Sequence, residues 1–192
     1  MPKKRNRSFY IDTNIAIDFA TNRDIKTVLL LEKFKEKKWK CVSSTFLAME
    51  MVDYQQNNIF INKEISKKKN PEHILRSIGS KNLKDSDFQE SEEWFADFTK
   101  RFQNLTLYDF INDSNGWTLA RDISFRSNLA APDVIHLTSA MLGCINGYCE
   151  VLVTKDGLLK TEALKILPKH KDCKLKVMGV DEVNKLYFRL KK

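Results

Sequence analysis

Apolar and polar residues alternate in blocks that predict strand and helix in turn at both ends of the chain. Short apolar runs at 8–11, 39–43 and 150–154 have the length of buried strands, and each leads into a segment with helical spacing of apolar residues. The helices predicted from that spacing cover 14–20, 24–38, 45–56, 114–127, 132–145 and 158–164. This alternation favours a mostly parallel sheet covered by helices on both faces.

The middle of the chain follows a different pattern. Residues 57–87 are less regular, whereas 89–102 is an amphipathic helix that carries Trp94, Phe95 and Phe98 on one side. Further strands are predicted at 105–110 and 175–178, and a short helix from Asp181. We therefore expect an α/β fold of three α/β/α layers, a single domain over 1–192 with a helical elaboration at 57–103.

Composition agrees with one folded domain and adds a charge bias. The 192 residues are 42% hydrophobic and 30% charged, which suits a globular protein and is too apolar for a disordered one. Lys and Arg number 33 against 25 Asp and Glu, a net charge of +8, and a basic tail at 1–7 supplies half of it. A basic surface favours nucleic acid as a partner, although a lysine-rich solvated surface explains the charge equally well.

The cysteines and the apolar segments indicate the cellular compartment. The four cysteines form no CxxC pair and lack zinc-site spacing, so we expect reduced, largely buried thiols in a cytoplasmic protein. The basic start runs into Phe9-Tyr10-Ile11-Asp12 without the apolar stretch of a signal peptide. No run of about 18 apolar residues is present, so no membrane association is expected.

Four carboxylates stand where predicted strands end or helices begin. Asp12 follows the first strand, Glu50 lies in the helix after the second, Asp133 follows Pro132 at a helix start, and Asp156 follows the strand 150–154. Open α/β sheets bind ligands beyond the carboxyl ends of their strands, so these acids are expected to share one edge. Clustered carboxylates repel unless their pKa values rise or a cation is bound.

Oxygen ligands without thiols or paired imidazoles select Mg²⁺ or Mn²⁺ over zinc. Such an ion activates water and offsets charge on a phosphodiester, so metal-assisted phosphodiester hydrolysis is the reaction class that the acids favour. Taken alone, Asp12 is better explained as a helix cap, Asp133 and Asp156 could each be one, and Glu50 needs no metal on an amphipathic helix. Asp53 is an alternative to Glu50 one turn along the helix. The metal prediction therefore depends on the joint pattern.

In order along the chain, these motifs resemble the PIN-domain family, best known from the VapC ribonuclease toxins of toxin–antitoxin pairs. The matching segments are FYIDTNI at 9–15, STFLAME at 44–50, PDVIHLTSA at 132–140 and LVTKDGLL at 152–159. The resemblance implies an Mg²⁺- or Mn²⁺-dependent endoribonuclease, either a toxin or a related PIN nuclease. It also implies Asp12, Glu50, Asp133 and Asp156 as catalytic metal-binding acids, with Asn14 and Thr154 as polar supports.

The same resemblance implies RNA as substrate, a small antitoxin as partner in a toxin, and a homodimer. Lys155 could reach a phosphate and is equally a surface lysine. Lys67, Lys68, Lys69 and Arg76 could contact RNA, although a solvated loop is the ordinary interpretation of such a run.

Three alternatives stay open. His136, one turn after Asp133, is a candidate ligand or proton shuttle, but a hydrogen-bonded, partly buried histidine is favoured because no other His or Cys has ligand spacing to it. Asp12-Thr13-Asn14 loosely resembles the opening of haloacid-dehalogenase-like phosphatases, but Asn14 cannot act as their acid/base. A PIN-like module that binds RNA or protein without cutting is the non-enzyme alternative.

Overall fold

A computed structural model describes residues 7–188 of the chain. Apart from Arg7, the basic tail predicted at 1–7 therefore lies outside the described residues. The strands are β1 Ser8–Ile11, β2 Lys40–Ser44, β3 Leu105–Tyr108, β4 Val151–Val153 and β5 Lys176–Met178. The α-helices are α1 Thr13–Thr21, α2 Ile25–Glu36, α3 Phe46–Ser66, α4 Pro71–Ser77, α5 Asp85–Arg101, α6 Ser114–Arg126, α7 Ala131–Ile145, α8 Gly157–Ile166 and α9 Val180–Tyr187. Short 3₁₀ turns follow at Ile78–Ser80 and Leu167–Lys169.

These elements group into two compact units. The first, here called the sheet unit, comprises the described residues up to 47 and from 102 onward, and the second, the helical unit, comprises 48–101. The single domain over 1–192 stays a prediction.

All five strands of the sheet unit are parallel, in the order β3-β2-β1-β4-β5. The central strand β1 places Phe9 beside Cys41 on one neighbour and Val151 on the other. The chain adds strands on one side of β1 first and then returns to add β4 and β5 on the other side. The strand order therefore reverses between β1 and β4, which is the point where open α/β sheets form a crevice.

One face of the sheet packs under α6, α7 and α8. Because strand side chains alternate between faces, Tyr10, Val42, Leu152 and Val177 stand in one row, and all are buried. The helix residues that share this core include Ile123, Val134, Leu137, Met141, Leu159 and Ala163. Burial of such apolar rows is the main favourable term in folding.

The opposite face is covered by aromatic packing. The ring of Phe9 stacks on Phe34 of α2 with 4.1 Å between centroids, and meets Trp39 at 5.5 Å and Tyr187 of α9 at 5.6 Å. Helix α2 also contacts α1 and α9. Helices therefore lie on both faces of a parallel sheet, and the predicted α/β/α sandwich is confirmed.

The helical unit is built from α4, α5 and most of α3. Its aromatic contacts include Tyr54 with Trp94, 6.3 Å apart, and Phe95 with Phe98, 5.9 Å apart. Lys63 and Asp87 form an ion pair between α3 and α5. The helical segment predicted at 57–103 thus corresponds to a unit that begins earlier, at residue 48.

The prediction that 57–87 is irregular is wrong for its first ten residues, because α3 continues to Ser66. Ile59 and Phe60 are buried, and the Lys63–Asp87 pair lies on the extended part of the helix. Lys68, two residues before the Asn70 cap of α4, is in the left-handed conformation, with φ of 58°, and the chain leaves the helix at this point.

Two further observations concern composition. No disulfide joins the four cysteines; Cys41, Cys149 and Cys173 are buried and Cys144 is half-buried, as predicted. Within residues 7–188, none of the helices combines the length and the apolar character needed to cross a bilayer.

Candidate active site at the reversal of strand order

Two predicted site acids follow the strands that flank the reversal point. Asp12 follows β1 and is the N-cap of α1, while Asp156 comes three residues after β4 and is the N-cap of α8. Parallel strands end at the same edge, so both acids stand on the carboxyl side of the sheet. The Asp156 carboxylate oxygen Oδ1 accepts a hydrogen bond from the Leu159 backbone N–H at 2.7 Å.

Asp12 is buried, with 4% of its surface exposed, and is oriented by neutral donors. Its Oδ1 accepts from the Thr13 backbone N–H at 2.8 Å. Its Oδ2 accepts from the Asn14 amide at 2.6 Å and from the Thr154 hydroxyl at 2.5 Å. The two predicted supports, Asn14 and Thr154, thus hydrogen-bond directly to Asp12.

Thr154 also joins Asp12 to the segment that carries Asp156. The Asp156 backbone N–H donates to the Thr154 hydroxyl oxygen at 2.9 Å, and the Asn14 amide donates to the same oxygen at 3.2 Å. The Lys155 backbone N–H donates to Asn14 Oδ1, also at 3.2 Å. One side-chain amide and one hydroxyl therefore fasten the β4–α8 connection to the start of α1.

Asp133 is half-buried in the first turn of α7, after Pro132. No side chain caps the N-terminus of this helix, so its dipole favours the Asp133 carboxylate. His136 stands one turn later and is only 1% exposed. It hydrogen-bonds to Tyr10 of β1 and Thr13 of α1, which ties α7 to the Asp12 end of the sheet.

Glu50, the fourth predicted acid, lies half-buried on α3 in the helical unit. Its proposed alternative, Asp53, is exposed and already bound within that unit. The Asp53 carboxylate pairs with the Lys81 ammonium at 2.5 Å and accepts from the Asn57 amide at 2.9 Å. Asp53 is therefore engaged within the helical unit, and a metal-binding role for Glu50 stays a prediction.

The predicted RNA-contacting side chains are largely engaged with carboxylates. Lys155 pairs with Asp18 at 2.7 Å and Asp24 at 2.9 Å, and these hydrogen bonds raise the pKa of Lys155. The Lys155 ammonium in turn lowers the pKa of Asp24 to about 2. The long side chain thus extends away from Asp12 toward the other end of α1.

In the helical unit, Lys67 and Lys69 both bind the buried carboxylate of Glu64, at 2.7 and 2.5 Å. The Lys67 hydrogen bond, followed by that of Lys69, lowers the pKa of Glu64 to about 2. Arg76 is exposed and lies 4.0 Å from Glu72. RNA contact by Lys67, Lys68, Lys69 and Arg76 stays a prediction.

A cleft of about 760 Å³ opens beside Asp156, between the starts of α2, α8 and α9. Thr154 and Lys155 line it together with charged residues that the sequence did not single out, namely Arg23, Asp24, Lys26, Lys160, Asp181 and Glu182. The cations here are paired: Lys26 with Asp181 and Lys160 with Glu182. The clustering was not visible in the sequence, because it joins the beginnings of three separate helices.

The donor set fits a hard cation only in part. Among residues 7–188, no group of three or more His, Cys, Asp or Glu side chains is placed to hold a metal ion. Mg²⁺, however, commonly takes one or two protein carboxylates and completes its shell with water and substrate phosphate. The carboxylates at this edge suit that mode of binding and not a closed protein cage of the zinc type.

The fold has a counterpart among solved structures. A chain in the crystal structure of VapBC2 from Rickettsia felis, bound to a DNA fragment from their promoter, superposes with a TM-score of 0.50. The match covers 90% of this chain and 98% of that chain, at 12% sequence identity. The two chains share a fold. No family model matches the sequence, and no curated protein matches it.

Proposed function

We propose that the protein is a metal-dependent endoribonuclease of the PIN type. The observation that supports this most strongly is the joining of Asp12, Asn14, Thr154 and the Asp156 backbone in one hydrogen-bonded group at the reversal of strand order. The fold shared with a chain of VapBC2 gives separate support.

In this proposal one or two carboxylates from the set Asp12, Asp133 and Asp156 bind Mg²⁺ or Mn²⁺, and water and substrate phosphate complete the shell. The sequence resemblance adds Glu50 to the candidate ligands. The ion, when bound, supplies an activated water and offsets charge on the scissile phosphodiester. Asn14 and Thr154 hold the Asp12 carboxylate in one orientation, since both donate to the same oxygen. The α7 N-terminus adds a positive dipole at Asp133, where an incoming phosphate is favoured.

The partners follow from the same comparison. VapBC2 is a complex of two proteins, so we propose a small antitoxin-like protein as partner of this chain. A homodimer is proposed from the sequence resemblance alone. RNA is the proposed substrate. The net charge of +8 supports attraction to a polyanion, and phosphate contacts would make binding weaken steeply with salt.

A non-catalytic module that binds RNA is the second candidate. One observation favours it: within the described residues, no three His, Cys, Asp or Glu side chains are placed to bind one metal ion. The phosphatase alternative has less support, because the Asn14 amide donates to Asp12 and offers no carboxylic acid.

The deciding experiment incubates purified protein with a panel of structured and single-stranded RNAs in Mg²⁺, Mn²⁺ or EDTA. The double variant Asp12→Asn/Asp133→Asn is run in parallel, with circular dichroism to verify its fold. We expect cleavage in either metal, no cleavage in EDTA, and none by the variant.

A matched control is Asp53→Asn, which removes an acid of the helical unit that is bound to Lys81. It should cut as the wild type does, whereas Glu50→Gln should not. RNA binding without cleavage in any metal would overturn the nuclease proposal and favour the binding module.

A further inference from the structure

A buried histidine connects three elements beneath the candidate site. His136 Nδ1 lies 3.0 Å from the Tyr10 hydroxyl of β1, and its Nε2 lies 2.9 Å from the Thr13 hydroxyl of α1. Both ring nitrogens are therefore in hydrogen bonds, and the ring itself is 1% exposed. An imidazole held on both sides in this way has a defined orientation.

The neighbours of Tyr10 determine which ring nitrogen carries the proton. The Ser44 backbone N–H donates to the Tyr10 oxygen at 3.2 Å, while the Ser44 hydroxyl has no hydrogen-bond partner among the described residues. The single Tyr10 proton therefore has His136 Nδ1 as its acceptor. If Nδ1 accepts, the hydrogen of the neutral ring is on Nε2 and is donated to the Thr13 oxygen.

Thr13 stands at the edge where the acids gather. It directly follows Asp12, and its backbone N–H donates to the Asp12 carboxylate at 2.8 Å. Because its oxygen accepts from His136, the Thr13 hydroxyl acts as a donor toward its other neighbours. Carboxylates and phosphates are acceptors only, so a donor at this edge stabilises either of them.

We propose that His136, neutral and protonated on Nε2, is a positioning residue of the candidate site. It sets the Thr13 hydroxyl as a donor and holds the first turn of α7, with Asp133, against the Asp12 end of β1. It acts through Thr13 and touches neither substrate nor metal. The effect of His136 on the cleavage rate rests on the proposed ribonuclease function. The hydrogen bonds of His136 can be tested whether or not the protein cuts RNA.

The hydrogen-bond part is tested without RNA, by nitrogen-15 NMR of the histidine rings at neutral pH. The three histidines are His73, His136 and His170, and the spectrum of His136→Gln assigns the signals of the buried ring. We expect a protonated Nε2 and an unprotonated Nδ1 for His136 alone. A proton on Nδ1, or on both nitrogens, would overturn the proposal.

The kinetic part compares variants that remove or keep one hydrogen bond. His136→Leu and Thr13→Val should lower kcat about 10- to 100-fold with KM nearly unchanged, as expected when a group that orients the site is lost. His136→Gln keeps an N–H for Thr13 and Thr13→Ser keeps the hydroxyl, so both should restore most of kcat.

Leu137→Ala is the matched structural control, because Leu137 is the fully buried neighbour of His136 on α7. It should lower the melting temperature and leave kcat of the folded enzyme nearly unchanged. If Leu137→Ala and His136→Leu lose kcat equally, His136 contributes only to core packing, and the proposal is overturned. If the wild type cuts no RNA, the proposed ribonuclease function fails. The NMR result alone then decides whether His136 is neutral and protonated on Nε2.

Discussion

Two buried aspartates, one at each end of α1, are stabilised in opposite ways. Asp12, 4% exposed, takes its described hydrogen bonds from a backbone N–H, an amide and a hydroxyl. Asp18, fully buried, is bound by the cations Arg23 at 2.6 Å and Lys155 at 2.7 Å. Cation pairing offsets the charge of a carboxylate, whereas hydrogen bonds from an amide and a hydroxyl fix its orientation. The same helix thus carries one aspartate in an ion-pair network and one whose described hydrogen bonds orient it at the strand edge.

The largest effect is expected for Asp12→Asn. Loss of the charge should lower the ribonuclease rate more than about 100-fold, a larger loss than removal of a residue that only supports a ligand. Circular dichroism should show an intact fold. Wild-type cleavage by this variant at saturating Mg²⁺ would remove Asp12 from the site.

Asp18→Asn should instead lower the free energy of unfolding by about 2 kcal/mol, because it leaves two cations without their buried partner. The cost is below that of a fully buried pair, since Arg23 and Lys155 reach solvent. The rate of the folded protein should stay within a few-fold of wild type. Urea denaturation and cleavage assays measure the two quantities, and an activity loss like that of Asp12→Asn would contradict the comparison.

Lys155→Met tests the comparison more sharply. Lys155 was predicted to contact RNA, but its ammonium forms an ion pair with Asp18. A double-mutant cycle with Asp18→Asn should show a coupling of about 1 kcal/mol in stability. Without Asp18, adding Lys155→Met should cost less stability than it does in the wild type, because only the pair with Asp24 is then lost, and it should leave KM for RNA unchanged. A rise in KM in that background would mean that Lys155 contacts the phosphate backbone directly.

The smallest effect is expected in the acid stability that Asp24 contributes. Asp24 pairs with the same lysine, Lys155, as Asp18 does. Because the Lys155 hydrogen bond lowers the pKa of Asp24 from 3.8 to about 2, the unfolded chain binds more protons between these values. The stabilisation is complete above about pH 4 and is lost as the pH falls toward 2. The urea midpoints of wild type and Asp24→Asn should therefore differ most at pH 7 and converge below pH 4. A constant difference would exclude this linkage.

The sequence predicted that Asp12 and Asp156 share one edge because each follows a strand of a parallel sheet, and the family resemblance added Asn14 and Thr154 beside them. It could not reveal that Lys155 turns to Asp18, since a lysine side chain has many rotamers and its partner lies 137 residues away. Nor did it reveal the contact of His136 with Tyr10, 126 residues away.

Local patterns had their own limits. The predicted end of α3 at residue 56 was wrong, because the helix continues to Ser66 and the first strong stop signal in the sequence is Asn70-Pro71. Strand positions were predicted more successfully, because short apolar runs bounded by polar residues have few alternatives in an α/β chain.

The hydrogen bond from Thr154 to Asp12 has a consequence for synthesis on the ribosome. Its partners are 142 residues apart, so at about 5–20 residues per second Asp12 leaves the peptidyl-transferase centre roughly 7 to 30 seconds before Thr154 is made. During that interval β1 has no β4 to pair with, and the proposed active site does not yet exist. A nascent chain is thus unable to assemble this hydrogen-bonded group until translation has passed the fourth strand.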